Sequence, residues 1–588
     1  MEGKYYTSER NVQIVIYLLK AYGIRKVIAS PGTTNMTLVA SLQQDPFFEI
    51  YSSVDERSAA YIACGMAAES GEPVVLTCTG ATASRNYYPG LTEAYYRKLP
   101  VIAITSTQDP ARIGQLAEQV VDRSQHARDV VVLSEHLQYV EAASDEWNVT
   151  IKANRLMHTL RRHGGGPVHI NLETRYSRDF SVKQLPEARL IRYVSMSEDL
   201  PELPKGKIGI MIGSHRPMSQ SLTDALDKFC EAYRAVVFCS HTSNYKGDFG
   251  VSNSLVAVQD NYRSELMSVN LLITIGEISG GDSQMRRIQS KEQWRLSEDG
   301  EIRDLFHGLT CVFEMPEERF FSYYAQQQCS DGSGNEWLSA LHEEYKHVLE
   351  QLPELPFSNL WVAQQTLPQM PKNAVLHLGI LNTIRCWNFF QLDKSVTCFA
   401  NTGGFGIDGN VSSLIGASLA NPDKLCFGVV GDLAFFYDLN SMGNRHVGSN
   451  VRIMLINNGR GVEFRNPYHV CYAFGEEADP YMAAAGHFGN QSRDLIRHYA
   501  TDLGYEYLSA STKDEFSATI AHFLDARPLE RPIIFEVFTS VEGEQSALWS
   551  AHHILSSPTY VAKERAKGML KSVVGQKGVA AVKKVLGK

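Results

Sequence analysis

The chain has 588 residues, a formal net charge of −9, 44% hydrophobic residues and 21% charged ones. That length supports several domains, each able to bury its own core, and the acidic balance argues against general nucleic-acid binding, which needs broad basic surface. The ten cysteines, at 64, 78, 230, 239, 311, 329, 386, 398, 426 and 471, form no CxxC pair and no zinc-finger spacing, so they read as buried thiols of a reducing compartment rather than a disulfide framework or metal centre.

The first elements in chain order are α/β. Val12, Val15, Ile16 and Leu19 follow helical spacing. Their stretch is too short and interrupted for a signal peptide or membrane anchor, so the expected location is the cytoplasm. Buried strands are predicted at 26–30, 73–78, 101–105 and 167–172, with helix between them, for example 58–69. Continuous apolar runs separated by helices indicate a parallel sheet covered on both faces. A polar, proline-containing stretch ends near Gly206, and a second α/β pattern has strands at 208–213, 235–238 and 271–276. Leu352–Pro356 reads as a linker. A third pattern has strands at 374–378, 425–430, 451–456 and 532–537. The expected layout is three consecutive parallel-sheet α/β domains, 1–185, 200–345 and 357–545, followed by a basic tail, 546–588. From Lys563 to Lys588 that tail carries eight Lys/Arg and one acid and reads as a solvated surface helix, with membrane-surface or acidic-partner binding as the alternative.

The strongest motif is Leu425-Cys426-Phe427-Gly428-Val429-Val430-Gly431-Asp432-Leu433, then a helical segment, then Val451 to Asn457-Asn458. A buried strand delivers Gly431-Asp432 to the carboxyl edge of a parallel sheet, where ligands bind. Gly lets the backbone approach a phosphate, and the following helix N-terminus favours the anion. A second strand delivers Asn457-Asn458 to the same edge. A carboxylate, an amide and a backbone carbonyl suit Mg²⁺, which fills the rest of its octahedron with phosphate and water. A lone Gly-Asp would read equally well as a helix cap; the second strand and the 26-residue spacing make the motif specific.

This motif resembles the thiamine-diphosphate motif of pyruvate decarboxylases, acetolactate synthases and their relatives. The resemblance implies Asp432, Asn458 and the Arg460 carbonyl as Mg²⁺ ligands, with Gly431 and Leu433 beside the cofactor; many relatives have a second glycine where Leu433 stands. It also implies pyrimidine-binding, central and diphosphate-binding domains in that order. Taken alone, Glu56 in Val54-Asp55-Glu56-Arg57 is an acid in the first turn of a helix. The resemblance makes it the glutamate that hydrogen-bonds the aminopyrimidine ring and so activates the thiazolium. Because relatives assemble this site across a subunit interface, a homodimer or homotetramer is expected.

Nearly the whole chain up to about 545 resembles MenD, a synthase family that joins a unit from 2-oxoglutarate to isochorismate. The shared segments are Ser30-Pro31-Gly32, Val54 to Arg57, Tyr88 to Ala94, Gly404 to Gly409, and Gly431-Asp432-Leu433 with Asp438-Leu439-Asn440. The resemblance implies that Gln119 faces the reaction intermediate and that Gly404 and Ile407 flank the cofactor, Ile407 as an apolar wedge. The departures lie at substrate arginines. This chain has Thr33-Thr34, Gln108 and Thr402 where MenD places carboxylate clamps, which neutral side chains cannot replace; Arg385 is retained. Past the metal motif stand Glu463, Arg465, Tyr468 and His469, the last a candidate acid/base. No FAD signature is found; Gly276 to Gly281 reads as a structural turn. The expected activity is decarboxylation of a 2-oxo acid and carboligation to an acceptor other than isochorismate, by a transferase or lyase using thiamine diphosphate and Mg²⁺. The alternatives are MenD itself, a simple 2-oxo acid decarboxylase, or a catalytically silent binding protein.

Overall fold

Val12, Ile14, Val15, Ile16, Leu18 and Leu19 are buried along the first helix, Arg10–Ala21, so its apolar face packs against the sheet that follows. The computed structural model describes residues 5–280, 287–328, 332, 334–486, 492–527 and 529–556. Gly281, Cys329 and the basic stretch 557–588 lie outside the described residues.

Contacts divide the chain into two compact units. The first comprises the residues up to Leu200 and Asp299–Glu314. Its sheet has the order β2-β1-β3-β4-β6-β5, made of β1 (Lys26–Ala29), β2 (Glu49–Ser52), β3 (Val74–Thr79), β4 (Val101–Thr107), β5 (Leu133–Leu137) and β6 (Val168–Glu173). Every pairing in it is parallel. β4 is buried along its whole length. A further parallel pair, β7 (Arg192–Ser195) with β13 (Leu309–Glu314), belongs to this unit.

The second unit comprises Pro201–Glu298 and the residues from Met315 on. It contains the parallel run β10-β9-β8-β11-β12, with β8 (Ile208–Ile212), β9 (Val236–Phe238), β10 (Gly250–Val251), β11 (Ser268–Ile275) and β12 (Gln289–Ser297). It also contains the parallel sheet β15-β14-β16-β17-β19-β18, with β14 (Val375–Leu378), β15 (Thr397–Phe399), β16 (Cys426–Gly431), β17 (Val451–Asn457), β18 (Glu506–Ala510) and β19 (Ile533–Phe538). The fold is therefore α/β with all-parallel sheets, as expected. Asn244 ties the two sheets of this unit together: its side chain accepts from Cys398 N and donates to Cys398 O, both at 2.9 Å.

Every strand predicted from an apolar run is present, with ends shifted by a few residues at most. The strands not predicted are mostly short or polar; β13 is an exception, a six-residue strand reading Leu-Thr-Cys-Val-Phe-Glu that was missed although mostly apolar and buried. β12 reads Gln-Ser-Lys-Glu-Gln-Trp-Arg-Leu-Ser and still pairs with β11 from Ser268↔Gln289 to Thr274↔Arg295; only its second half is buried. Tertiary pairing overrides local propensity there. The nine described cysteines are all free. Among the described residues no helix is long and apolar enough to cross a membrane.

Candidate active site

β16 and β17 are neighbours in parallel register, with Gly431 opposite Ile456. Both chains therefore leave the sheet at the same edge, and the helix Asp432–Tyr437 starts there. Asp432 is 2% exposed. Its Oδ1 accepts the N–H of Leu433 at 2.8 Å, and its Oδ2 accepts those of Asn458, Gly459 and Arg460 at 3.2, 2.7 and 3.0 Å. One carboxylate thus fastens the loop after β17 to the start of the helix after β16. Burial pushes the Asp432 carboxyl up to about 6, against the opposing pull of these four donors. Gly459 has φ +81°, a backbone state suited to glycine.

The structure separates the two adjacent asparagines. Asn457 is committed: its Nδ2 donates to Glu536 Oε1 at 2.7 Å and its Oδ1 accepts from Gly459 N at 3.2 Å. Asn458 Oδ1 is buried without a partner. A buried carbonyl oxygen left unpaired costs free energy, and beside the Asp432 carboxylate it suits a hard cation. A Cβ built on Gly431 would meet nothing within 4 Å, so space is open there. Asp432, Asn458 and the Arg460 carbonyl could therefore hold Mg²⁺, and the chemistry of these oxygens fits it. Asn458→Ala is expected to weaken Mg²⁺ binding while leaving the melting temperature nearly unchanged. Asn457→Ala is expected to cost about 1–3 kcal/mol of stability, because it leaves the buried Glu536 short of a donor. Metal titration and thermal unfolding of both variants check this.

The loop beyond is braced by Asp479, which pairs with Arg460 and accepts from Arg465 at 2.8 Å. A cavity of about 390 Å³ opens beside it, and Asn382, Arg385, Glu463, Tyr468, His469 and His552 contribute to its lining. Arg385 forms an ion pair with Glu463. Arg385 lies on the short helix Asn382–Trp387, and the residue before that helix, Leu381, has φ +65° and ψ −121°, a conformation costing an L-residue roughly 1–3 kcal/mol. His469 Nδ1 accepts the N–H of Cys471 at 3.1 Å. In the neutral ring the proton is then assigned to Nε2. Thr402 is buried, whereas Gly404 is exposed and Ile407 half-buried. Phe405, at φ +55°, turns the chain just before Ile407. Leu433 is half-buried and lies against Gly461, where a Cβ would come within 3.0 Å of its Cδ1.

In the first unit, Glu56 opens the helix Glu56–Ser70, capped by Asp55, whose side chain accepts from Arg57 N. Glu56 is half-buried, and its Oε2 accepts from Asn86 Nδ2 at 3.3 Å. Thr33 is exposed. Thr34 is buried and its hydroxyl is already engaged, with Thr79 Oγ1 at 2.5 Å, Ser106 O at 3.1 Å and Gly80 N at 3.2 Å. Gln108 accepts a hydrogen bond from Arg112. Gln119 is exposed, with φ +61°.

The sequence reading missed Arg123, which is 3% exposed. Its Nε and Nη2 donate to Asn171 Oδ1 at 3.1 and 2.7 Å, and Nη1 is buried without a partner. A Cβ on Gly80 would come within 2.3 Å of that nitrogen, so glycine makes room for the guanidinium. No helical or strand periodicity around 108–130 marks this arginine in the sequence.

Residues 10–126 match the family described as thiamine pyrophosphate enzyme, N-terminal TPP binding domain. A 2-succinyl-5-enolpyruvyl-6-hydroxy-3-cyclohexene-1-carboxylate synthase of Bacteroides fragilis is 30% identical, over 94% of this chain and 100% of its own length. The protein of that name from Bacteroides thetaiotaomicron is 29% identical, over 94% of this chain and 99% of its own. Among solved structures, the Rhodococcus jostii RHA1 thiamine diphosphate-dependent 4-hydroxybenzoylformate decarboxylase is similar over 90% of this chain and 99% of that one, at 16% identity and a TM-score of 0.39. With a relative of this identity covering nearly both full lengths, the chain belongs to the 2-succinyl-5-enolpyruvyl-6-hydroxy-3-cyclohexene-1-carboxylate synthase (MenD) family of thiamine-diphosphate-dependent enzymes.

Proposed function

We propose that this protein uses thiamine diphosphate and Mg²⁺ to decarboxylate a 2-oxo acid and transfers the remaining carbon unit to an acceptor other than isochorismate. The observation that carries this reading is the Asp432–Asn458 arrangement: a buried carboxylate fastened by four backbone donors beside an unpartnered amide oxygen. Bound thiamine diphosphate supplies the electron sink for loss of CO₂.

The chain's own residues then have distinct tasks. Asp432, Asn458 and the Arg460 carbonyl hold the metal, and Gly431 leaves room for the diphosphate. Gly404, Ile407 and Leu433 flank the cofactor with apolar or small surface. Glu56 holds a proton at the pyrimidine ring, and Gln119 meets the substrate. His469, with its proton at Nε2, delivers it to the acceptor's carbonyl oxygen as the new bond forms. The working unit is a homodimer or homotetramer, in which Glu56 serves a partner's diphosphate site. The central domain has no flavin signature in its sequence, and the domain limits 1–185, 200–345 and 357–545 are part of this reading.

A second reading is favoured by the relatives' names: the chain itself performs the 2-oxoglutarate and isochorismate reaction. Thr34, Gln108 and Thr402 weigh against it, because a half-buried carboxylate without its cation is poorly compensated. The two share the first half-reaction. Incubation with thiamine diphosphate, Mg²⁺ and a panel of 2-oxo acids, with and without aldehydes, should release CO₂ from at least one acid and form a condensed product with one aldehyde. No CO₂ from any member by cofactor-loaded protein would sink the catalytic reading in favour of a binding role.

A further inference from the structure

Arg385 is the one retained arginine among the clamp positions, yet its charge is already answered. It forms an ion pair with Glu463, which is 8% exposed and whose Oε2 is buried without a partner. Both side chains line the 390 Å³ cavity. We propose that Glu463 is a specificity-determining residue: it occupies Arg385 as a resident carboxylate, so that the cavity receives an uncharged, polyhydroxylated acceptor instead of a carboxylate-bearing one. This deepens the carboligase reading and rests on it.

The lining of the cavity supports the assignment. A second carboxylate brought to Arg385 would meet Glu463 at close range, and two carboxylates sharing a site cannot both stay ionised without cost. Among the described residues, the other charged groups of the lining are Asp260 and Arg287, so these two arginines and two carboxylates balance one another. Burial pushes His552 down to about 3, which keeps that ring neutral. The ring of Tyr468 stacks on His552 at 3.9 Å between centroids and 19° between planes, and Phe389 adds apolar surface. Balanced charges and amide groups that bind hydroxyls, next to flat aromatic rings that receive C–H faces, form the surface chemistry a sugar-like chain needs. The strained backbone at Leu381 immediately precedes the helix Asn382–Trp387, which carries Asn382 and Arg385.

The test uses full-length protein loaded with thiamine diphosphate and Mg²⁺, with two probes of equal length, neutral D-erythrose and anionic D-erythronate, titrated by saturation-transfer NMR. Wild type should prefer erythrose. Glu463→Gln frees Arg385 and should raise erythronate affinity about ten- to a hundredfold, the worth of a charge-assisted pair. Glu463→Asp, which withdraws the carboxylate without removing it, should shift the preference in the same direction by less and serves if Glu463→Gln fails to fold. Arg385→Gln with Glu463→Gln leaves no buried charge unpaired and should lose the gain. Wild type that binds erythronate as tightly as erythrose, wild type that binds no erythrose, or folded variants with an unchanged ratio overturns the proposal. Cofactor affinity and CO₂ release are measured separately, so a protein that binds no thiamine diphosphate sinks the parent reading and not the ion-pair assignment.

Discussion

Asp432→Ala is expected to lose thiamine diphosphate binding by about 100-fold or more. The carboxylate has two tasks. As a metal ligand it supplies the only negative charge among the three proposed Mg²⁺ donors, and loss of an anionic contact worth about 3 kcal/mol is already a factor near 100. As an acceptor it satisfies the N–H groups of Leu433, Asn458, Gly459 and Arg460. Alanine leaves those donors without it, at roughly 1–3 kcal/mol for each that water does not reach. The loop that presents Asn458 and the Arg460 carbonyl then comes loose as well. Asp432→Asn separates the two effects, since it keeps an acceptor oxygen and volume but removes the charge. Calorimetric titration of thiamine diphosphate with Mg²⁺ present should show both variants impaired, with only alanine markedly destabilised. Undiminished affinity in folded Asp432→Ala would remove the anchor assignment.

Glu56→Gln is expected to bind the cofactor about as well as wild type, yet to exchange the thiazolium C2 proton about 10²–10⁴-fold more slowly, the range of a lost general acid–base contribution. The amide cannot take up or release the proton that a carboxyl shares with the pyrimidine ring. Helix stability should change little, because the cap of this helix is Asp55 and not Glu56; the loss of one acid from the first turn is worth a few tenths of a kcal/mol to about 1 kcal/mol. Proton-exchange NMR on both proteins reads the effect. Equal exchange rates would take Glu56 out of the mechanism and return it to the role of a first-turn acid that its position alone suggests.

Much of the fold was legible because the strands that matter are buried on both faces. β4, β16 and β17 are buried along nearly their whole length and carry long apolar stretches, broken by Arg452 in β17 and by the Thr-Ser-Thr end of β4, and the parallel sheets follow from them. β12 was not legible, since its polar first half has no period-2 alternation to mark it and its pairing with β11 comes from tertiary contact. In the site, Asp432 and the Asn-Asn pair were visible through spacing, but spacing alone does not tell Asn457 from Asn458; the family resemblance singled out Asn458, and the physical difference lies in Glu536, 79 residues away, which engages Asn457. Arg385 was visible as a retained arginine. Its neutralisation by Glu463, 78 residues on, was not, because an ion pair across two loops leaves no local signal. Arg123 was missed for the same reason: what singles it out is the lack of a partner for Nη1 and the room made by Gly80.

The family's cofactor machinery is proposed to serve a different acceptor here, and one coupled assay decides it. Supply thiamine diphosphate, Mg²⁺, 2-oxoglutarate and isochorismate, and measure isochorismate consumption. Three lost clamps, each worth roughly 1.5–3 kcal/mol, should leave isochorismate a very poor acceptor even if their effects are not additive. The predicted result is negligible isochorismate consumption by a protein that still releases CO₂ from some 2-oxo acid. Turnover near the ordinary enzyme median of about 10 per second, with micromolar affinity for isochorismate, would contradict the claim and make Thr34, Gln108 and Thr402 substitutions that other residues have compensated.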